Sequence, residues 1–105
     1  MFRIPLENIP NQVCSVRIDG ALFELRIKVA RGSMTASVSR DSVALVRGAR
    51  CLPFEPLIPY RYLAGHTGNF YFVNEDGAYP HYSRFGSEDT LLYLGRDELE
   101  ALRNG

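Results

Sequence analysis

The 105-residue sequence predicts an all-β domain, a small antiparallel β-barrel or sandwich with a short C-terminal helix. Three observations predict it. Apolar and polar residues alternate with period two over several short runs, as strands with one buried and one wet face require. Turn pairs punctuate these runs at intervals of about eight to twelve residues. Good helix formers without strand alternation are confined to the closing RDELEALRNG. A chain this long forms one domain, residues 1–105, that buries roughly 60–70% of its unfolded surface.

Residues 1–10, MFRIPLENIP, hold a short stretch flanked by Pro5 and Pro10. They are expected to form an N-terminal arm or edge strand, which either pairs with a neighbouring chain or completes the domain's own sheet. In VCSVRIDG, Cys14, Val16 and Ile18 share one face, with Ser15, Arg17 and Asp19 opposite. Asp19-Gly20 readily takes positive φ and closes a hairpin. Its second strand, LFELRIKV, alternates Phe23, Leu25, Ile27 and Val29 with Glu24, Arg26 and Lys28. Arg31-Gly32-Ser33 turns the chain into SMTASVS, with Met34, Ala36 and Val38 inward. Arg40-Asp41-Ser42 then leads into VALVRG, a short strand that Gly48 should end.

Pro53, Pro56 and Pro59 bar the next stretch from being a central strand, because proline cannot donate to a ladder. An extended segment covering the core is expected, anchored by Leu52, Phe54, Leu57 and Ile58. The competing reading, a polyproline ligand, would leave these apolar side chains in water. NFYFV is a strand with Phe70 and Phe72 on one face and Tyr71 and Val73 on the other, and Asp76-Gly77 turns it. AYPHYSRFGSED is irregular and aromatic. TLLYL is apolar on both faces and so central. Leu99 and Leu102, three apart, place a short helix over 96–103.

Twelve Lys and Arg balance twelve Asp and Glu, and along the chain the two signs interleave. That balance argues against nucleic acid and anionic membranes as partners. Phe70, Tyr71 and Phe72 near Arg84 have the makings of a stacking platform for single strands, but equally the composition of a core strand. The opening residues lack a basic region followed by an apolar one, and no apolar run reaches bilayer length. A cytoplasmic start is therefore expected, with Cys14 and Cys51 as small buried thiols.

No cofactor or metal is expected. His66 and His81 stand fifteen apart, and neither they nor Cys51 show the paired spacing of zinc ligands. Neither Ser15 nor Cys51 sits on a nucleophile elbow. Glu75 and Asp76 are adjacent and suit turn hydrogen bonding better than acid–base catalysis. Gly65 and Gly68 match no phosphate-binding pattern and read as turn glycines. Nothing here makes an enzyme. Tyr79, Pro80, Tyr82 and Phe85, outside any clean alternation, are the candidates for docking on a partner protein, or for covering an open end of the domain.

The order of these elements carries a resemblance. RIPLENIPNQVCSVRIDGALFELRI is similar to the opening of the small baseplate plug proteins of contractile-tailed phages, with its IPL and PNQ elements and DG hairpin. YRYLAGHTGNFYFVNEDG, the loop with Pro80, Tyr82 and Gly86, and TLLYLG resemble that family's second half. The resemblance implies a structural component of the tail baseplate, with no catalysis. It implies docking on hub, spike or tube-initiator proteins, and closure of the distal end of the tail tube. Copies would follow the threefold or sixfold symmetry of the tail, and assembly would occur in the host cytoplasm before incorporation into the virion. Cys14 and Cys51 are not features of the pattern. The alternative is a small β-barrel module that binds single-stranded nucleic acid or peptide.

Overall fold

The computed structural model describes residues 1–59 and 68–104. Among these residues seven strands form two antiparallel sheets, and a helix follows the last strand. Of the two expected architectures the sandwich is the observed one, since the sheets remain separate and do not close into a barrel. Gly65 and His66 lie outside the described residues.

The larger sheet is a meander of β2 (Gln12–Ile18), β3 (Ala21–Ala30), β4 (Ser33–Arg40) and β5 (Val43–Arg50). Two-residue loops join its strands, with positive φ at Asp19 and Gly20, Arg31 and Gly32, and Asp41 and Ser42. This mirror-image turn matches the right-handed twist of paired strands. Ser42 at φ 69° gains nothing from a missing side chain, unlike glycine. Asp41 compensates by bonding the neighbouring hairpin: its N–H donates to the Leu22 carbonyl at 2.8 Å, and its Oδ1 accepts from the Leu22 N–H at 2.9 Å.

Alternation places the inward set as the sequence predicts. Phe23, Leu25, Ile27, Met34, Ala36 and Val38 are buried, while Glu24, Arg26 and Lys28 face water. One expectation fails at Gly48, which does not end β5. The strand continues to Arg50, and Arg47 and Gly48 together oppose Ser37 in a bulge. The Gly48 N–H, turned out of the ladder, donates to Ser37 Oγ at 2.9 Å.

The smaller sheet has the order β1 (Phe2–Ile4), β7 (Thr90–Leu94), β6 (Asn69–Val73). The doubly apolar β7 is thus its central strand, and residues 2–4 pair within the domain as an edge. Phe70, Phe72, Leu91 and Tyr93 meet the larger sheet's inner face. Phe23, Phe70 and Tyr93 form a mutually contacting triad, with centroids 5.1–5.8 Å apart.

Residues 51–59 run along the outer edge of β6. Pro53 and Pro56 lie in bridge positions, and the residue after each proline makes the bond: the Phe54 N–H to the Phe72 carbonyl at 2.8 Å and the Leu57 N–H to the Phe70 carbonyl at 2.9 Å. The segment covers the core, as expected, through buried Leu57 and Ile58. Phe54 does not anchor it. At φ 62° its side chain is turned outward and is 56% exposed.

A fully buried Asn69 holds this segment down. Its Oδ1 accepts from the N–H groups of Ile58 at 3.0 Å and Phe70 at 2.8 Å, and its Nδ2 donates to the Ile58 carbonyl at 2.7 Å. Beside it, Gly68 proves to be a close-approach glycine, not a turn residue. A Cβ there would run into the Leu94 carbonyl and the Tyr93 hydroxyl, which instead accepts from the Gly68 N–H at 2.9 Å.

The helix α1 spans Arg96–Asn104. Glu98 closes its first turn by accepting from the Gly95 N–H at 3.0 Å, a capping-box contact, and also accepts from the Met1 amine at 2.6 Å. These bonds, the amine first, hold the Glu98 carboxyl below its ordinary range. Leu99 is buried; the side chain of Leu102 lies outside the described residues.

Candidate functional site

The connection from β6 to β7 carries all four docking candidates, and one buried carboxylate organises it. Asp89 is fully buried. Its Oδ1 accepts from Asn74 Nδ2 at 3.0 Å and its Oδ2 from the His81 N–H at 3.0 Å, while its own N–H donates to the Arg84 carbonyl at 2.9 Å. A buried charge needs such partners, and the Arg84 guanidinium, 3.5 Å away, supplies the countercharge. Asn74 closes the near end of the loop, accepting from the Gly77 N–H and donating to the Ala78 carbonyl, both at 2.8 Å. The loop is thus irregular in backbone but fixed by polar contacts.

Arg84 also reaches Asp76 at 2.8 Å and Glu88 at 3.2 Å. Its hydrogen bond lowers the Asp76 carboxyl below its usual range, and the same bond raises the guanidinium further. Asp76 accepts from the Ala78 N–H as well, the local turn bonding expected of it. These groups line an open cleft of about 570 Å³ with Val73 and Thr90. Asp76 and Glu88 are each paired with Arg84 there, and Glu75 lines the same cleft.

The four candidates take different places on this scaffold. Tyr79 is 59% exposed, with the Arg50 guanidinium carbon 4.8 Å from its ring centroid. Tyr82 opens a short 3-10 turn, Tyr82–Arg84, capped by His81. It is half-buried, with its ring centroid 4.4 Å from that of His81. Pro80 is buried, and Phe85 is 5% exposed and stacked on Phe72 at 5.5 Å. Tyr79 and Tyr82 are therefore the two with surface to offer, while Pro80 and Phe85 hold the loop onto the sandwich.

Phe70 and Phe72 have no exposed surface and belong to the core, leaving Tyr71 as the partly exposed aromatic of this strand. Cys51 and His81 line a recess of about 90 Å³ beneath Tyr79. Burial pushes the Cys51 thiol up to about 12, which disfavours the thiolate. Both cysteines are free thiols. Among the described residues no His, Cys, Asp or Glu cluster could hold a metal, and no helix is long and apolar enough to cross a membrane.

The two signs interleave along the chain, but the fold brings several of the bases together. Strand register brings Arg26 and Lys28 on β3 to the same end of the larger sheet as Arg47 and Arg50 on β5, with Arg31 in the adjoining turn and Arg50 over the Tyr79 ring. The signal was present in the sequence. On β3 the strand parity that buries Leu25 and Ile27 exposes Arg26 and Lys28. For β5 the parity was obscured by the bulge.

No curated protein matches the chain in sequence. The family described as Cyanophage baseplate Pam3 plug gp18 matches over residues 1–97. That span takes in both sheets, the Asn69 clip and the whole Asp89-centred loop, leaving out only most of α1. A match that covers the entire sandwich leaves one assignment: the chain belongs to the cyanophage baseplate plug family.

Proposed function

We propose that this protein is a structural component of a contractile phage tail baseplate. It docks near the central hub and spike, helps close the distal end of the tail tube, and performs no catalysis. The observation that carries this reading is the family match over residues 1–97. The architecture supports it. A rigid loop presents Tyr79 and an edge of Tyr82 from a well-packed sandwich, and exposed tyrosines on pre-organised backbone are the usual anchors of protein interfaces. Copies following the tail's threefold or sixfold symmetry, assembled in the host cytoplasm, complete the proposal.

The test is a tagged pull-down from cells producing the phage or an induced prophage, read by mass spectrometry. Hub, spike or tube-initiator proteins in fixed ratio are expected. Recovery of no tail protein would refute the reading.

A further inference from the structure

The five cations at one end of the larger sheet form two cross-strand rows. Lys28 pairs with Thr35, which pairs with Arg50. Arg26 pairs with Ser37, which faces Arg47 across the β5 bulge. The rows lie about 7 Å apart, two residues along a strand. Arg31 caps them in the β3–β4 turn. Hydroxyl groups fill the positions between the cations, and none of the five lies within 4 Å of a carboxylate among the described residues. Asp19 and Asp41 sit at the opposite end of the sheet, whereas Glu24 is the next outward residue of β3 beyond Arg26. The exposed Glu7 is tied to Gln12, the cross-strand partner of Ile27.

A sheet face that only meets water is ordinarily laced with opposite charges across strands, because like charges there repel. Here the rows Lys28, Thr35, Arg50 and Arg26, Ser37, Arg47 hold no acid across the three strands, although the chain as a whole is neutral and Glu24 neighbours Arg26 along β3. Four of the five cations are arginines, as are eleven of the chain's twelve basic residues, and arginine is the basic residue favoured at interfaces. The patch is also continuous with the docking loop, since Arg50 lies over Tyr79 and Gly32, Ser33, Tyr79 and His81 line one recess.

We propose that this cationic end of the four-stranded sheet, together with Tyr79, docks on an acidic protein surface of a baseplate neighbour. The inference rests on the baseplate reading and specifies the chemistry of the partner. A polynucleotide fits less well. The face is a sheet surface without a groove, and one side of its adjoining exposed aromatic, Tyr79, is already taken by Arg50.

The test uses purified tails. A carbodiimide, which joins amines to carboxylates in contact, is expected to couple Lys28 to Asp or Glu of a neighbouring chain. Arg26→Lys and Arg50→Lys keep the charge and extend the coupling to their positions. The double variant R26E/K28E is expected to enter tails about tenfold less efficiently or worse, through like-charge repulsion at the interface, while its circular dichroism and thermal unfolding stay unchanged.

Several results would overturn the proposal. One is Lys28 acetylated in tails as fast as in the isolated protein, with R26E/K28E incorporated normally. Another is salt-sensitive binding of a single-stranded oligonucleotide by the isolated protein, abolished in R26E/K28E; that would make the patch a polyanion site. Absence of the protein from tails would instead sink the baseplate reading, and this inference with it.

Discussion

Replacing Asn69 by Ala should unfasten the proline-rich segment from the sandwich. The substitution removes three hydrogen bonds and strands the Ile58 N–H, the Ile58 carbonyl and the Phe70 N–H, on residues with no exposed surface. A buried polar group left unpaired costs about 1–3 kcal/mol, so with partial relaxation the loss should be about 3–5 kcal/mol. A domain of this size is stable by about 5–15 kcal/mol, which makes this a large fraction. In thermal unfolding it corresponds to a fall in Tm of about 15 °C or more.

Asn69→Asp is the control. It keeps the acceptor for both N–H groups but sets an oxygen against the Ile58 carbonyl where Nδ2 now donates at 2.7 Å. Protonation relieves that contact, so the folded-state pKa of the new carboxyl is raised above its unfolded value. The stability it retains is then present at low pH and lost as pH rises, and the penalty of the Asn69→Asp substitution should shrink as pH is lowered toward 4 (about the unfolded carboxylate value). Urea unfolding measures both. An Asn69→Ala protein within about 1 kcal/mol of the parent would refute the clip.

Gly68→Ala should cost about 2–3 kcal/mol through overlap with the Leu94 carbonyl and the Tyr93 hydroxyl, and urea unfolding with an unchanged m-value is the check. Phe85→Ala and Tyr79→Ala should separate structure from docking. The first loses about 3–5 kcal/mol of stability from the stack on Phe72, and the second loses about 1–3 kcal/mol of partner affinity at unchanged Tm. The Cys51 thiol, raised to about 12 from 9.0, should resist alkylation at pH 8 until the protein unfolds, while half-buried Cys14 reacts sooner. Because the unfolded thiol releases its proton first, stability should fall as pH rises from about 9 toward 12, which denaturant titrations across that range would show.

The meander was legible because its information is local. Period-two alternation set the faces of β2, β3 and β4, and Asp19-Gly20 and Arg31-Gly32 announced their turns in the two residues that must take positive φ. Gly48 misled because a glycine that ends a strand and one that bulges it look alike until Ser37 is seen opposite. Phe54 misled because only the bond from its N–H to Phe72 shows which way its side chain turns. The roles of Pro80 and Phe85 depend on Asp89 drawing in the loop, and that buried carboxylate has no signature of its own in the sequence. The cationic patch needed strand register before arginines distant in the chain could be seen as neighbours.

The pairing of β1 with β7 has a consequence for biosynthesis. The meander is built from hairpins closed over two residues and can form as soon as it leaves the ribosome. The smaller sheet cannot, because its central strand is Thr90–Leu94 and one of its partners is Phe2–Ile4. Its closure spans nearly the whole chain and waits for the last strand to emerge. A prematurely terminated chain would therefore carry the cationic face but lack both β7 and Asp89, the residue that fixes Tyr79 in place. It would have half the proposed docking surface on an open sandwich, so the order of synthesis itself would bias an assembling tail against incomplete copies.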